Sequence, residues 1–288
     1  MKRAARLHIT FLFLTLLLLS VSCSSAPKNS GDVYQLRKSA EKEMDLGNRE
    51  AGRGNFEIAL GFLNECKRRA VLVDDLSLMI RSGLSLGNAL FSAGRRDEAF
   101  EEWEQAIALA EKLGDSELLS AARIFRARGR LVSSREAAQA VLDEVNREAA
   151  NIKSSKLFIA FSWQVKGLAL RELRSYNEAE AALRRSLDIH EKERYLENAS
   201  YDWYVIASIR SLAGNTSGAL QALEASIALD RRIENTWGLA SSWRAVGDVH
   251  RKAGNSGEAA QAYQRARAIF SAMGNEQEAA EIDKRMGN

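Results

Sequence analysis

The sequence predicts an all-α protein, a solenoid of repeated helical hairpins. Three observations predict it. The chain of 288 residues holds one proline, Pro27, while Ala, Leu, Glu and Arg dominate, so helix formers abound and breakers are nearly missing. Runs of β-branched residues in strict alternation, the mark of strands, are absent. The third observation is a beat of forty residues. Residues 202–226, DWYVIASIRSLAGNTSGALQALEAS, align with 242–266, SWRAVGDVHRKAGNSGEAAQAYQRA, so that Trp203 and Trp243, Gly214 and Gly254, and Ala219 and Ala259 coincide. A fixed period of this length belongs to a stacked array.

In chain order, residues 1–22 come first. They carry Lys2, Arg3 and Arg6, an apolar run from Ile9 to Leu19, and small residues before Cys23. That is the design of a secretory signal peptide, and the run is short for a membrane span. It resembles a bacterial lipoprotein signal, although Ser20 stands where such signals usually place Leu. The resemblance implies lipidation of Cys23 and an acyl anchor in the bilayer. Ser24 after the Cys implies the periplasmic side of the outer membrane. An uncleaved anchor, or an ordinary secretory signal, is the alternative. Residues 23–33 then form the lipidated Cys and a polar tether.

Charge excludes one partner class. The 41 basic residues fall to 38 once Lys2, Arg3 and Arg6 are set aside, matching the 38 acidic ones. A nucleic-acid binder needs a net basic stripe to displace counterions, so no nucleic acid is expected. Cys66 is the only other cysteine. With Cys23 acylated it has no disulfide partner, and a buried thiol is its expected state.

Residues 34–288 form the solenoid, with repeats near 40–79, 80–118, 119–159, 160–199, 200–239 and 240–279. Ala59, Ala99, Ala179, Ala219 and Ala259 mark the grid. Twelve residues before each comes a small residue, Gly47, Gly87, Gly167, Ala207 or Gly247. Four after each comes a bulky one, Leu63, Trp103, Leu183, Leu223 or Tyr263. Small residues at one point of each helix let two axes approach, and the large ones fill the space beside them. Gly54, Gly94, Gly214 and Gly254 supply a left-handed residue to end the first helix. Trp163, Trp203 and Trp243 are expected to plug the core. In the third repeat the grid meets Gln139 where Ala is due, so that repeat reads as degenerate and shifted by one residue. Residues 275–288 close the array as a capping helix with Asn275 as N-cap.

These residues resemble the tetratricopeptide repeat: Trp, Gly four later, Gly-Asn, Ala, then an aromatic or Leu. The repeat of forty, without the usual Pro at its end, is similar to the longer units of kinesin light chains. The resemblance implies a right-handed superhelix whose first helices line a concave groove, with positions two, five, nine and twelve of each facing inward. Those positions nominate a partner-binding groove of Asn48, Arg81, Asn88, Phe91, Arg123, Arg130, Arg171, Tyr201, Tyr204, Arg244 and Arg251. Asn suits a peptide backbone because its amide both donates and accepts. Arg forks recognise carboxylates, and the aromatics are typical interface anchors. The competing reading is a solvated groove whose arginines pair internally with Glu41, Glu172 and Asp248.

Catalysis needs convergent acid, base or metal groups. His190 and His250 lie in different repeats without metal-ligand spacing, so no enzyme, metal or cofactor is expected. The expected function is a membrane-anchored scaffold that binds a segment of another envelope protein. Two rivals stand beside it. One is a periplasmic carrier whose Phe161, Leu168, Tyr201 and Tyr204 form one continuous pocket. The other is a homo-oligomeric structural lipoprotein.

Overall fold

Most of the helices follow one another with almost no loop, because they end in the same short left-handed turn. The computed structural model describes residues 31–131 and 135–287. The signal segment, Cys23 and residues 24–30 lie outside the described residues. Thirteen α-helices and no strand occur among the described ones. They are α1 (Asp32–Gly52), α2 (Phe56–Leu72), α3 (Leu76–Ser92), α4 (Arg96–Leu113), α5 (Ser116–Gly129), α6 (Arg135–Glu148), α7 (Lys156–Glu172), α8 (Tyr176–Lys192), α9 (Leu196–Leu212), α10 (Thr216–Arg232), α11 (Thr236–Lys252), α12 (Ser256–Ala272) and α13 (Glu276–Gly287).

The turn explains the period. At Gly54, φ is 79°, its N–H reaches Ala51 O at 3.1 Å, and Asn55 N–H reaches Glu50 O at 2.9 Å. That pair of bonds satisfies the last carbonyls of the helix, and Asn55 is already the N-cap of α2. The left-handed residue returns at twenty-residue intervals, at Asp74, Gly94 and Gly114, and again at Arg174, Arg194, Gly214, Glu234, Gly254 and Gly274. Both turns of a hairpin therefore share one geometry, including those where no glycine announces it. Asn275 accepts Glu278 N–H at 3.1 Å and starts α13, whose Ala279 and Ile282 cover the core around Tyr263 and Phe270.

Each hairpin closes on the small residue of its first helix. A Cβ at Gly47 would come within 2.6 Å of Leu63 Cγ, and at Gly247 within 2.5 Å of Tyr263. The bulky partners Leu63, Trp103, Leu183, Leu223 and Tyr263 are all at most 2% exposed. Trp163, Trp203 and Trp243 do otherwise than expected. They lie half-buried along the hairpin seam, with the Arg185 guanidinium 4.5 Å over Trp163 and the Arg265 guanidinium 4.5 Å over Trp243. Leu183, Leu223 and Tyr263 already occupy the crossings, so the indoles pack against the core from the flank, and a cation covers the ring face of Trp163 and of Trp243.

Each first helix packs on its own second helix and also on the first helix of the next repeat, whereas the second helices are spread apart. The first helices thus form the inner, concave wall. Their register is direct: Arg81 pairs with Glu41 at 3.4 Å and Arg128 donates to Asn88, each across forty residues.

The third repeat departs from the rest, though not as its sequence suggests. Asp115 caps α5, forty residues after Asp75, which caps α3, and forty before Ser155, which caps α7. The first helix is therefore on the grid, and no one-residue shift applies to it. The irregularity falls on α6, which has 14 residues against 17 in α8 and α10, and on the 3₁₀ turn Ala149–Asn151 after it. Glu117 holds that link by accepting Ser155 N–H at 2.7 Å and the Ser154 hydroxyl at 2.8 Å.

The wall curls far enough to meet itself. The turn after α1 rests on the turn before α11: Phe56 meets Trp237 edge-on at 5.5 Å, and Arg53 lies 3.8 Å from Glu234. A Cβ on Gly54 would strike the Trp237 ring at 2.6 Å. The first repeat therefore touches the fifth and sixth.

Candidate functional site

The inner wall carries the nominated residues, and its register decides which of them meet. At the first-repeat end, Asn48 is exposed and its side chain has no hydrogen bond among the described residues. Asn88, its counterpart forty residues on, accepts one bond from Arg128 Nη1 at its carbonyl oxygen and leaves its amide nitrogen unengaged. Phe91 is half-buried and tilts against Trp103 at 5.7 Å. Arg81 reaches only Glu41, at 3.4 Å. Arg81, Asn88 and Phe91 thus follow one another along α3, with Asn48 in the register of Asn88 on α1.

Arg123 and Arg130 are corrected. Because α5 keeps the unshifted grid, the inward positions fall at Ala121, Ile124, Arg128 and Leu131. Arg123 occupies the seam position that Trp163 and Trp203 take in later repeats, paired with Glu111 at 3.2 Å and Glu148 at 3.3 Å. Arg130 pairs with Glu144 of α6. Arg128 is the residue that sequence reasoning missed. Asp115 as an N-cap, forty after Asp75, was the signal that would have found it.

Farther along, internal pairing takes over. Arg171 pairs with Glu172 at 2.7 Å, and Arg244 with Glu278 of the terminal helix. Arg251 reaches Asp248 at 3.4 Å. Asp248 is a hub that also accepts Arg285 at 2.9 Å and the Tyr263 hydroxyl at 2.7 Å. Burial, with that carboxylate beside it, pushes the Tyr263 phenol up to about 12. Tyr201 and Tyr204 stack on each other at 6.2 Å, and Tyr201 remains 36% exposed. Phe161 stacks on Phe125 at 4.1 Å within a different core cluster from Leu168. The four side chains expected to line a carrier pocket are therefore not gathered: Phe161 belongs to one core, Leu168 and Tyr204 to another, and Tyr201 is exposed. A depression of about 590 Å³ opens instead at the link between Leu113–Glu117 and Asn151–Lys153, and none of them lines it.

The interior holds polar joints that the sequence did not expose. His190 Nδ1 lies 2.7 Å from Asp202 Oδ2, and Gln164 donates to Asp202 Oδ1 at 2.8 Å. His190 and Asp202 are fully buried and Gln164 is 3% exposed, so this trio fastens α7 and α8 to α9 and reaches no substrate. Cys66 is buried too, and burial, reinforced by the Glu43 charge, pushes its thiol up to about 11. A thiol so held stays protonated and unreactive. Among the described residues no cluster of His, Cys, Asp and Glu could hold a metal ion, and no helix is long and apolar enough to cross a membrane.

Stacked hairpins, with a small residue at each crossing and a recurring left-handed turn, match a known repeat in part. The tetratricopeptide repeat matches residues 81–113 and 166–193. The chain folds as a tetratricopeptide-like solenoid. Solved structures with the same fold include a Rap protein complexed with competence and sporulation factor. It is 15% identical, with a TM-score of 0.58 over 87% of this chain and 74% of that one. Aspartyl phosphate phosphatase F from Bacillus subtilis is 10% identical, with a TM-score of 0.58 over 85% and 78%. BtubC from P. vanneervenii is 16% identical, with a TM-score of 0.50 over 85% and 93%. At such identities the likeness is one of fold. No curated protein matches the chain.

Proposed function

We propose that this tetratricopeptide-repeat protein is a non-enzymatic scaffold, held on a membrane by an acylated Cys23, whose inner wall binds an extended or helical segment of another envelope protein. One observation carries the reading. Asn48 and Asn88 stand in register on adjacent first helices; among the described residues the side chain of the former has no hydrogen bond and the amide nitrogen of the latter is open. Amides left open in one row suit a peptide backbone, which repeats donors and acceptors along its length. A structure of the same fold contains a Rap protein complexed with competence and sporulation factor, which supports binding as a use of this fold. Function itself rests on the site and not on the fold.

The test is cross-linking capture in cells, comparing the natural protein with a variant carrying Asn48→Ala, Asn88→Ala and Arg81→Glu. A partner held by the former and lost by the folded variant is the expected result; equal capture by both would refute a role for the row. Cys23→Ser should move the protein from the membrane to the soluble fraction, and retention on the membrane would remove the acyl anchor from the reading.

A further inference from the structure

The tip of the first hairpin breaks a pattern that the other repeats keep. Later first helices begin forty residues apart, at Leu76, Ser116, Lys156, Leu196 and Thr236, which would start α1 at Leu36; it starts instead at Asp32. The added turn carries Val33 and Tyr34. At the same end of the hairpin α2 finishes with Val71 and Leu72, because Arg37 pairs with Asp75 at 2.8 Å and Arg69 donates to Ser39. The four side chains Val33, Tyr34, Val71 and Leu72 are 42–58% exposed, and none joins an apolar core.

The same positions in other repeats carry different residues. Val71 and Leu72 fall on the grid of Glu111 and Lys112, Glu191 and Lys192, and Arg231 and Arg232, all exposed, and of Ser271 and Ala272 in the sixth repeat. A site at the end of a helix that faces water thus holds charged or small residues. Branched aliphatics gathered there are unfavourable until an apolar phase covers them.

Chain length places that phase within reach. Asp32 stands nine residues after Cys23, so the start of α1 lies within about 30 Å of that cysteine whatever path the link takes. An acyl group on Cys23 would enter the bilayer and keep this tip at its surface. Charge settles the kind of contact. Asp32 and Asp74 are exposed beside Arg37 and Lys38, so the tip has no basic excess to draw it to anionic headgroups. Tyr34, with an apolar ring and a polar hydroxyl, suits the boundary between lipid and water.

We propose that Val33, Tyr34, Val71 and Leu72 enter the bilayer as a shallow apolar wedge, so that the array stands on the tip of its first hairpin. This rests on the reading of Cys23 as an acyl anchor.

The experiment uses the full chain, purified from membranes and reconstituted in phosphatidylcholine vesicles with brominated or ordinary acyl chains, with and without phosphatidylglycerol. A thiol-reactive fluorophore is attached in Tyr34→Cys, in Val71→Cys, or in Lys192→Cys of the fourth repeat; Cys66 is buried and does not compete. The two labels on the first hairpin should lose fluorescence to bromine in either lipid mixture, and the label on the fourth repeat should keep it. Val71→Asp with Leu72→Asp should abolish the loss in Tyr34→Cys, with vesicle flotation and helical circular dichroism unchanged. Full fluorescence from the first hairpin in a floating, acylated protein would overturn the wedge and leave the anchor standing, whether or not a doubled mass shows a second copy on the tip. Quenching of all three labels, quenching that survives the Asp pair, or quenching confined to phosphatidylglycerol would also overturn it. A chain whose mass shows no acyl group on Cys23, and which does not float, would overturn anchor and wedge together.

Discussion

At the scale of single residues, the hairpin is decided by what lacks a side chain. Gly87 lies where any Cβ would collide with the Trp103 indole, and Trp103 is fully buried between Phe91 and Phe100. The ring cannot swing aside, so Gly87→Ala must spread α3 from α4. We expect a loss of about 1–3 kcal/mol, the range for overpacking a filled core, measured by denaturant unfolding. A stability equal to that of the natural protein would contradict the crossing geometry. The grid of small and large residues made this pairing legible in the sequence. The left-handed positions at Arg174, Arg194 and Glu234 were not, because their side chains carry no sign of the backbone they occupy. They adopt it because the turn's hydrogen bonds demand it.

At the scale of elements, neighbouring repeats are joined by buried polar groups as well as by apolar packing. Asp230 at the end of α10 is 1% exposed. It accepts Asn235 Nδ2 at 2.8 Å, faces Ser200 of α9 and Ser226 of its own helix, and feels the Glu197 charge. Burial pushes its carboxyl from 3.8 up to about 6. Between these values the folded protein holds a proton that the unfolded chain has released, so stability falls as pH rises from about 4 to about 6 and is flat above. Asp230→Asn, neutral throughout, should lose that fall, which amounts to at most about 3 kcal/mol at 1.36 kcal/mol per unit. Unfolding midpoints measured from pH 4 to 7.5 test it: parallel profiles for the two proteins would show that Asp230 titrates normally. The location of this joint was not legible. Nothing in Asp230 or His190 distinguishes them from exposed residues of the same helices until the next repeat covers them.

At the scale of the whole molecule, the curl of the array brings its first repeat against the fifth and sixth. Phe56 and Arg53 of the first repeat rest on Trp237 and Glu234 of the fifth and sixth, which narrows the space enclosed by the inner wall. Phe56→Ala with Arg53→Glu removes the ring contact and places a third carboxylate beside Glu50 and Glu234. The radius of gyration in small-angle scattering should rise while helical content stays constant, since each hairpin keeps its own core. An unchanged radius would show that repeat-to-repeat packing alone fixes the curvature. The same scale governs access: a partner segment must reach a wall that the chain's own ends partly close.

The sequence by itself determined the hairpins, their period, the turns that end in glycine and the polar final helix, because each depends on residues within one repeat. The inward positions of the first helices were only implied by the family resemblance, and in the third repeat they were placed one residue off the grid. The tertiary structure decided what depends on neighbours. It kept α5 on the grid and so exchanged Arg123 and Arg130 for Arg128. It paired Arg81, Arg171, Arg244 and Arg251 of the wall with carboxylates. It also brought residues 53–56 against 234–237. Local pattern records the surface a helix must bury; ion pairing and closure follow from which surfaces the accumulated twist of successive repeats brings together.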